Sequence, residues 1–200
     1  MNKAVYQRPD KPRRLIVRNR REVPEMALPS VPEVIEVDCF TECFVTPEEV
    51  GNRMVDYLGL ENRDSVLEPQ SGTGNLVQAV LDYGVAIKEI VAVERHISLC
   101  NGLSKRFEGN EVVASVNQCF LEYTSEINQK MKFDKIILNP PFKLVRKHMS
   151  AALSLLADNG VMVALVPITY QHEDAELLEE LPRDTFDGIT VHTKLVRFIK

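Results

Sequence analysis

Tryptophan is absent from this 200-residue chain, and no apolar run reaches the ~20 residues that a membrane-spanning helix needs. The Arg-rich N-terminus lacks the apolar segment of a secretory signal, so a cytoplasmic protein is expected. Cysteine is scarce, limited to Cys39, Cys43, Cys100 and Cys119. Without an export signal these are expected as reduced thiols rather than a disulfide framework. Cys39 and Cys43 have the spacing of two metal ligands but no matching second pair, so no metal site is expected. Internal repeats and low-complexity tracts are also missing. Glycine is thin where it matters: Gly72 and Gly74 follow a strand pattern without the third glycine of the dinucleotide fingerprint.

What is present is an uneven charge. Residues 1–21 carry eight Lys/Arg against the single acid Asp10, a net of +7, whereas the rest of the chain carries 16 basic and 28 acidic residues, a net of −12. A basic arm on an acidic body is either a solvated tail or a contact for a nucleic-acid backbone. Prolines 9, 12, 24, 29 and 32 interrupt residues 1–33, which read as an extended arm with one short strand at Leu15–Val17. Residues 34–200 suit one domain, of a size that buries about 70% of its unfolded surface.

Along that domain strands and helices alternate. Val34–Val37 reads as a short extended piece. Thr46-Pro47-Glu48-Glu49 predicts a capping box opening a helix over 47–58. Strands are expected at Ser65–Glu68, Ile90–Val93, Glu111–Ser115, 134–138 and Val161–Val166. Helices are expected from the glycine loop to Tyr83, then over 97–107, 125–131, 144–157 and an acidic 172–181, before an alternating strand Val191–Ile199. This order predicts an α/β, doubly wound, mostly parallel sheet with right-handed crossovers. The absence of a long crossover between its last strands predicts an antiparallel edge.

Three stretches carry candidate chemistry. Ile136–Leu138 reads as a buried strand that ends in Asn139-Pro140-Pro141-Phe142. Two prolines stiffen that turn and leave one side-chain amide, bare carbonyls and an aromatic face, a place to hold a flat molecule by an edge amino group. The loop Glu68-Pro69-Gln70-Ser71-Gly72-Thr73-Gly74 has the strand–loop–helix form whose backbone N–H groups receive an anion. Glu94, at the end of the next strand, suits a carboxylate accepting both hydroxyl hydrogens of a ribose.

Taken together, these stretches resemble a class I S-adenosylmethionine-dependent methyltransferase with an Asn-Pro-Pro-Phe motif, most like the adenine-N6 DNA methyltransferases of bacteria and phages. The likeness runs from about Cys39 to Lys200. It includes Phe44-Val45-Thr46-Pro47, similar to the family's Phe-x-Thr-Pro segment, and the tail Phe186 to Thr193, similar to its final hairpin. The resemblance implies a Rossmann-like seven-stranded sheet, S-adenosyl-L-methionine as cofactor and no metal. It implies catalytic roles for Asn139, Pro140, Pro141 and Phe142, with the Asn139 oxygen and the Pro140 carbonyl accepting the two N6 hydrogens and Phe142 stacking on the base. For the cofactor it implies Phe44, Thr46, Glu68, Gly72, Gly74 and Glu94, together with Asn139. The family's Asp before Phe-Leu is here Cys119, so the contact with the cofactor's adenine is either weakened at Cys119 or passed to Asn117 or Gln118. His148, six residues past Phe142, is expected on the helix surface or in the core, with approach to the substrate as the alternative. Sequence-specific members usually carry an added target-recognition domain, so either specificity is low here, a partner protein supplies it, or the substrate is something other than duplex DNA. RNA or a protein glutamine as acceptor, or a non-catalytic nucleic-acid-binding relative or subunit, are the alternatives to DNA.

Overall fold

The structure is a computed structural model and describes residues 13–17, 33–37, 45–127, 130–186 and 190–200. β1 (Arg13–Val17) and β2 (Glu33–Val37) pair antiparallel as a two-stranded sheet of their own. The remaining elements form the domain that carries the site. They run α1 (Glu48–Leu58), β3 (Ser65–Glu68), α2 (Asn75–Asp82), β4 (Glu89–Glu94), α3 (Ile97–Arg106), β5 (Val113–Asn117), α4 (Phe120–Ile127) and β6 (Phe133–Leu138). A 3-10 turn (Phe142–Leu144), α5 (Val145–Leu155), β7 (Leu156–Pro167), β8 (Glu176–Leu181) and β9 (Thr193–Ile199) complete it.

The seven strands are ordered β5-β4-β3-β6-β7-β9-β8. The four pairings among β5, β4, β3, β6 and β7 are parallel, whereas β9 lies antiparallel to both β7 and β8. This is the Rossmann-like methyltransferase sheet with an antiparallel edge, as the alternation predicts. Side chains along each strand alternate between two cores. Val66, Ile90, Ala92, Ile137, Val163 and Leu165 face α1 and α2, whereas Leu67, Val91, Val93, Ile136, Leu138 and Met162 face α4 and α5. Among the described residues Lys135 is the one charged residue buried in mid-strand, and it is paired: its Nζ donates to the Gly59 carbonyl at 2.8 Å, at the C-terminal end of α1.

The chain winds outward from β3 through β4 and β5, then returns to place β6 on the other side of β3. The crevice at the C-terminal ends of β3 and β6 is therefore a topological switch point, where open α/β sheets bind ligands. The loops after β3, β4, β5 and β6 all open onto it.

Several expectations are corrected. The acidic segment 172–181 is not a helix; residues 176–181 form β8. Leu177, Leu178 and Leu181 mimic helical spacing, but the open edge of β9 offers backbone partners, and Arg53–Glu179 and Arg197–Glu176 ion pairs fix the strand. The helix expected at 125–131 instead spans Phe120–Ile127, because Phe120 and Tyr123 form its buried face. β5 starts two residues later than expected, after Asn110 Oδ1 accepts the Val112 N–H in a local turn. β7 extends well before Val161, to Leu156. Thr46 does not cap α1, which begins after Pro47 without a side-chain cap. Phe44 and most of residues 1–33, including most of the basic arm, lie outside the described residues.

Gly74 shows why the loop after β3 needs glycine there. Its φ is +82°, and a Cβ would sit 2.6 Å from Leu103 Cδ2 and 2.8 Å from Phe107 Cε2. The left-handed penalty of about 1–2 kcal/mol and overpacking of about 1–3 kcal/mol add, so Gly74→Ala is expected to lose about 3 kcal/mol. A thermal melt should show a drop of roughly 10 °C for a chain of this size. A change below 2 °C would mean that the loop and α3 yield without cost.

Candidate active site

A cavity of about 420 Å³ opens at the switch point. Its floor is the loop after β3: Glu68, Gln70, Ser71 and Gly72. Glu94 lines it from the end of β4, Cys119 and Phe120 from the start of α4, Asn139 and Pro141 from the turn after β6, and Thr46 from the segment before α1. The structure thus brings together Thr46, Glu68, Gly72, Glu94, Cys119, Asn139 and Pro141. Gly74, Gln118, Pro140 and Phe142 do not line it. Phe142 is half-buried against the core on the α1 side, and Pro140 is buried.

The loop is stitched in place by the backbone. The Ser71 N–H donates to the Val93 carbonyl at 2.9 Å and the Gly74 N–H to the Ser71 carbonyl at 2.7 Å. Arg106 Nη1 holds the Thr73 carbonyl from α3 at 2.7 Å. The Gly72 N–H is directed at Glu94, donating to Oε2 at 2.9 Å, while the His96 N–H donates to Oε1 at 2.7 Å. Those two bonds fix the carboxylate and leave each oxygen further lone-pair capacity toward the cavity.

Glu68 is 98% buried at the end of β3, and its Oε2 has no hydrogen-bond partner among the described residues. Burial pushes its carboxyl up to about 8, with the Ser71 hydroxyl opposing, Glu94 adding to the rise and Arg106 opposing it. Burial also raises Glu94, against its two backbone donors. Two desolvated acids in one cavity suit a ligand that brings positive charge and hydroxyl donors.

The Asn139 amide is oriented by the segment before α1. Asn139 Nδ2 donates to Thr46 Oγ1 at 3.1 Å, and Asn75 Nδ2 donates to the Thr46 carbonyl at 2.9 Å. Thr46 is thereby clamped between α2 and the turn after β6, and its 5% exposed side chain turns the amide oxygen of Asn139 away from it. Thr46→Val removes the acceptor at nearly constant volume. A lost hydrogen bond of about 1–1.5 kcal/mol predicts a fall of roughly tenfold in the turnover that needs Asn139, with cofactor affinity little changed. Loss confined to cofactor affinity would assign Thr46 to the cofactor alone.

For two residues the structure decides between readings that the sequence left open. His148 is buried, lines the cavity, stacks on Phe120 at 6.1 Å between ring centroids, and has Nδ1 at 2.9 Å from Gln70 Nε2. Burial holds it below the usual histidine range, with the Arg95 charge acting the same way. Its place four residues before the core-facing Ala152, on the face of α5 turned to the sheet, was the available signal. Asn117 is committed elsewhere: its Nδ2 bridges the carbonyls of Glu94 and Arg95 at 2.9 and 3.2 Å. Of the residues put forward for the cofactor's adenine, Cys119 alone lines the cavity, and the Gln118 N–H donates to the Glu94 carbonyl at 3.2 Å.

Residues 38–156 match the family described as ribosomal RNA adenine dimethylase. The 23S rRNA (uracil(1939)-C(5))-methyltransferase RlmD of Histophilus somni is 30% identical over 134 residues, covering 66% of this chain and 30% of the relative. An rRNA adenine N-6-methyltransferase of Escherichia coli is 27% identical over 105 residues, covering 52% of this chain and 40% of the relative. The chain therefore spans well under half the length of the curated relatives it matches. Among solved structures, the 23S rRNA methyltransferase ErmE superposes with a TM-score of 0.66 at 15% identity, covering 78% of this chain and 68% of that one. A type I restriction-modification methyltransferase subunit from Streptococcus thermophilus gives 0.66 at 16% identity, covering 78% and 44%. At these identities the structural likeness shows the fold.

Proposed function

Since the chain belongs to the ribosomal RNA adenine dimethylase family, we propose that it transfers methyl groups to the exocyclic N6 of adenine in RNA. Its cofactor is S-adenosyl-L-methionine. The cavity fits that group: Glu68 offers a buried carboxyl to its ammonium, and Glu94, pinned by Gly72 and His96, offers acceptors to its ribose. When bound, the cofactor supplies a methyl group already activated on a sulfonium.

The chain's own task is to present the acceptor nitrogen. Adenine N6 is a weak nucleophile because its lone pair is delocalised into the ring. The Asn139 oxygen and the Pro140 carbonyl accept its two hydrogens and favour a more pyramidal nitrogen. As positive charge grows on N6 these bonds become charge-assisted, so they act more on the transition state than on the ground state. Phe142, half-buried beside that turn, would stack on the base; such stacking contributes about 1–3 kcal/mol. The observation that carries the reading is the Asn139 amide, set by Thr46 at the wall of the cavity that Glu68 and Glu94 also line.

DNA is the second reading, supported by the Glu-Pro-Gln-Ser-Gly-Thr-Gly loop and the Asn-Pro-Pro-Phe turn, whose resemblance is to adenine-N6 DNA methyltransferases. In either case residues 1–33 are proposed as a basic arm and 34–200 as the cytoplasmic catalytic domain. Methyl transfer from labelled cofactor to total RNA, duplex and single-stranded DNA, and a protein extract, followed by digestion, tests it. N6-methyladenine in RNA is expected. Label only in DNA selects the second reading, and label only in protein overturns both.

A further inference from the structure

Most of the residues assigned so far line the cavity; its rim has a different character. From Lys135 to Ala157 the chain has no acidic residue, in a body whose charge beyond residue 21 is −12. Lys143 ends in the 3-10 turn after Asn139-Pro140-Pro141, and Arg146 and Lys147 follow on the first turn of α5. A spacing of three and four places these cations on one face, and all three are exposed. Arg95, exposed at the end of β4, joins them across the opening, since it and Lys143 both line the cavity. Leu144, also lining it, is one of few large apolar side chains left exposed, at 46%.

Several cations elsewhere on the surface sit within 4 Å of an acid: Arg53 with Glu179 at 2.8 Å, Arg197 with Glu176 at 2.7 Å, Lys200 with Asp158 at 3.7 Å. Arg95, Arg146 and Lys147 have no such partner among the described residues. The polarity also reverses with depth. Buried acids, Glu68 and Glu94, suit a positively charged cofactor inside, while the rim presents positive charge to whatever arrives from solvent.

We propose that this rim, Arg95, Lys143, Arg146 and Lys147 around Leu144, is the surface that holds the RNA strand, its cations on the phosphates flanking the acceptor adenine and Leu144 against the neighbouring base. The inference rests on the RNA reading above. It assigns the grip at the acceptor to the catalytic domain itself rather than to the arm. Contacts of this kind are independent of sequence and fix the strand's register over the cavity.

The test compares the full chain with Arg146→Gln/Lys147→Gln and with Arg63→Gln/Lys88→Gln, an equal charge change near the opposite ends of the strands. Methyl transfer to RNA is followed over a salt series, and cofactor affinity is measured by calorimetry. The rim variant is expected to raise KM for RNA about tenfold and to make the salt slope shallower by roughly 1.4–1.8, at about 0.7–0.9 per phosphate contact. The control variant should match wild type, and cofactor affinity should stay within about twofold in all. Leu144→Ala should raise KM without altering the slope. A rim variant with wild-type KM and slope overturns the inference and leaves the RNA reading intact. Wild-type protein that binds cofactor and labels no RNA overturns that reading, and the inference with it.

Discussion

Asn139→Ala is expected to lower methyl transfer by about 10²–10³-fold while cofactor affinity stays within a few-fold. The magnitude follows from what one preoriented hydrogen-bonding group contributes when it acts chiefly on the transition state. The structure gives the direction of the effect. Thr46 Oγ1 takes the amide N–H of Asn139 at 3.1 Å, which fixes which side of the amide is nitrogen and which is oxygen. Asn139→Asp sharpens the experiment: it keeps an acceptor oxygen but places a charge that cannot donate to Thr46. Its activity should fall between wild type and alanine. Single-turnover rates with saturating cofactor separate this from a binding defect. Comparable turnover in Asn139→Ala would remove Asn139 from the chemistry.

The second large effect is on pH-dependent stability. Glu68 has a folded-state carboxyl pushed to about 8 against an ordinary value of 4.5. A raised carboxyl means that the folded protein holds a proton which the unfolded chain releases above pH 4.5. The stability due to the neutral form is therefore fully present below pH 4.5 and is lost as pH rises through about 8. The cofactor-free protein is expected to lose stability across pH 6.5–8 with a slope approaching about 1.4 kcal/mol per pH unit from this group. His148, whose folded value lies below 6.5, contributes in the opposite sense only at lower pH, so this window isolates the acid. Glu94 is raised as well, so Glu68→Gln should reduce the slope rather than abolish it. Urea midpoints at four pH values read this directly. Cofactor binding near neutral pH should release a proton, visible as a dependence of the binding heat on buffer ionisation enthalpy, and Glu68→Gln should remove it. Equal slopes in wild type and variant would show that Glu68 is ionised throughout.

These two residues were both legible before any coordinates, for different reasons. Asn139 sits in a turn that two prolines make rigid, and rigidity encoded by covalent geometry is visible in one dimension. Glu68 ends a four-residue strand before a glycine loop, a local pattern again. Gln70 and His148 were not legible as a pair. They are separated by 78 positions and meet because α5 returns along the sheet beside the loop after β3. The rim cations were in plain view as Lys143, Arg146 and Lys147, yet nothing local says that they stand at the mouth of the same cavity. The acidic 176–181 segment misled for a similar reason. Its leucines fit a helix as well as a strand, and only the open edge of β9 chooses.

By itself the sequence determined the alternation of strands and helices, the parallel sheet with an antiparallel edge, and the turns whose prolines fix φ and whose glycines permit positive φ, because these depend on neighbours a few residues apart. The tertiary structure alone decided which of those turns share a cavity, that Thr46 orients Asn139 rather than capping α1, and that Glu68 loses its water. Each of these depends on groups far apart in the chain and on burial, and neither separation in space nor desolvation is written in local spacing.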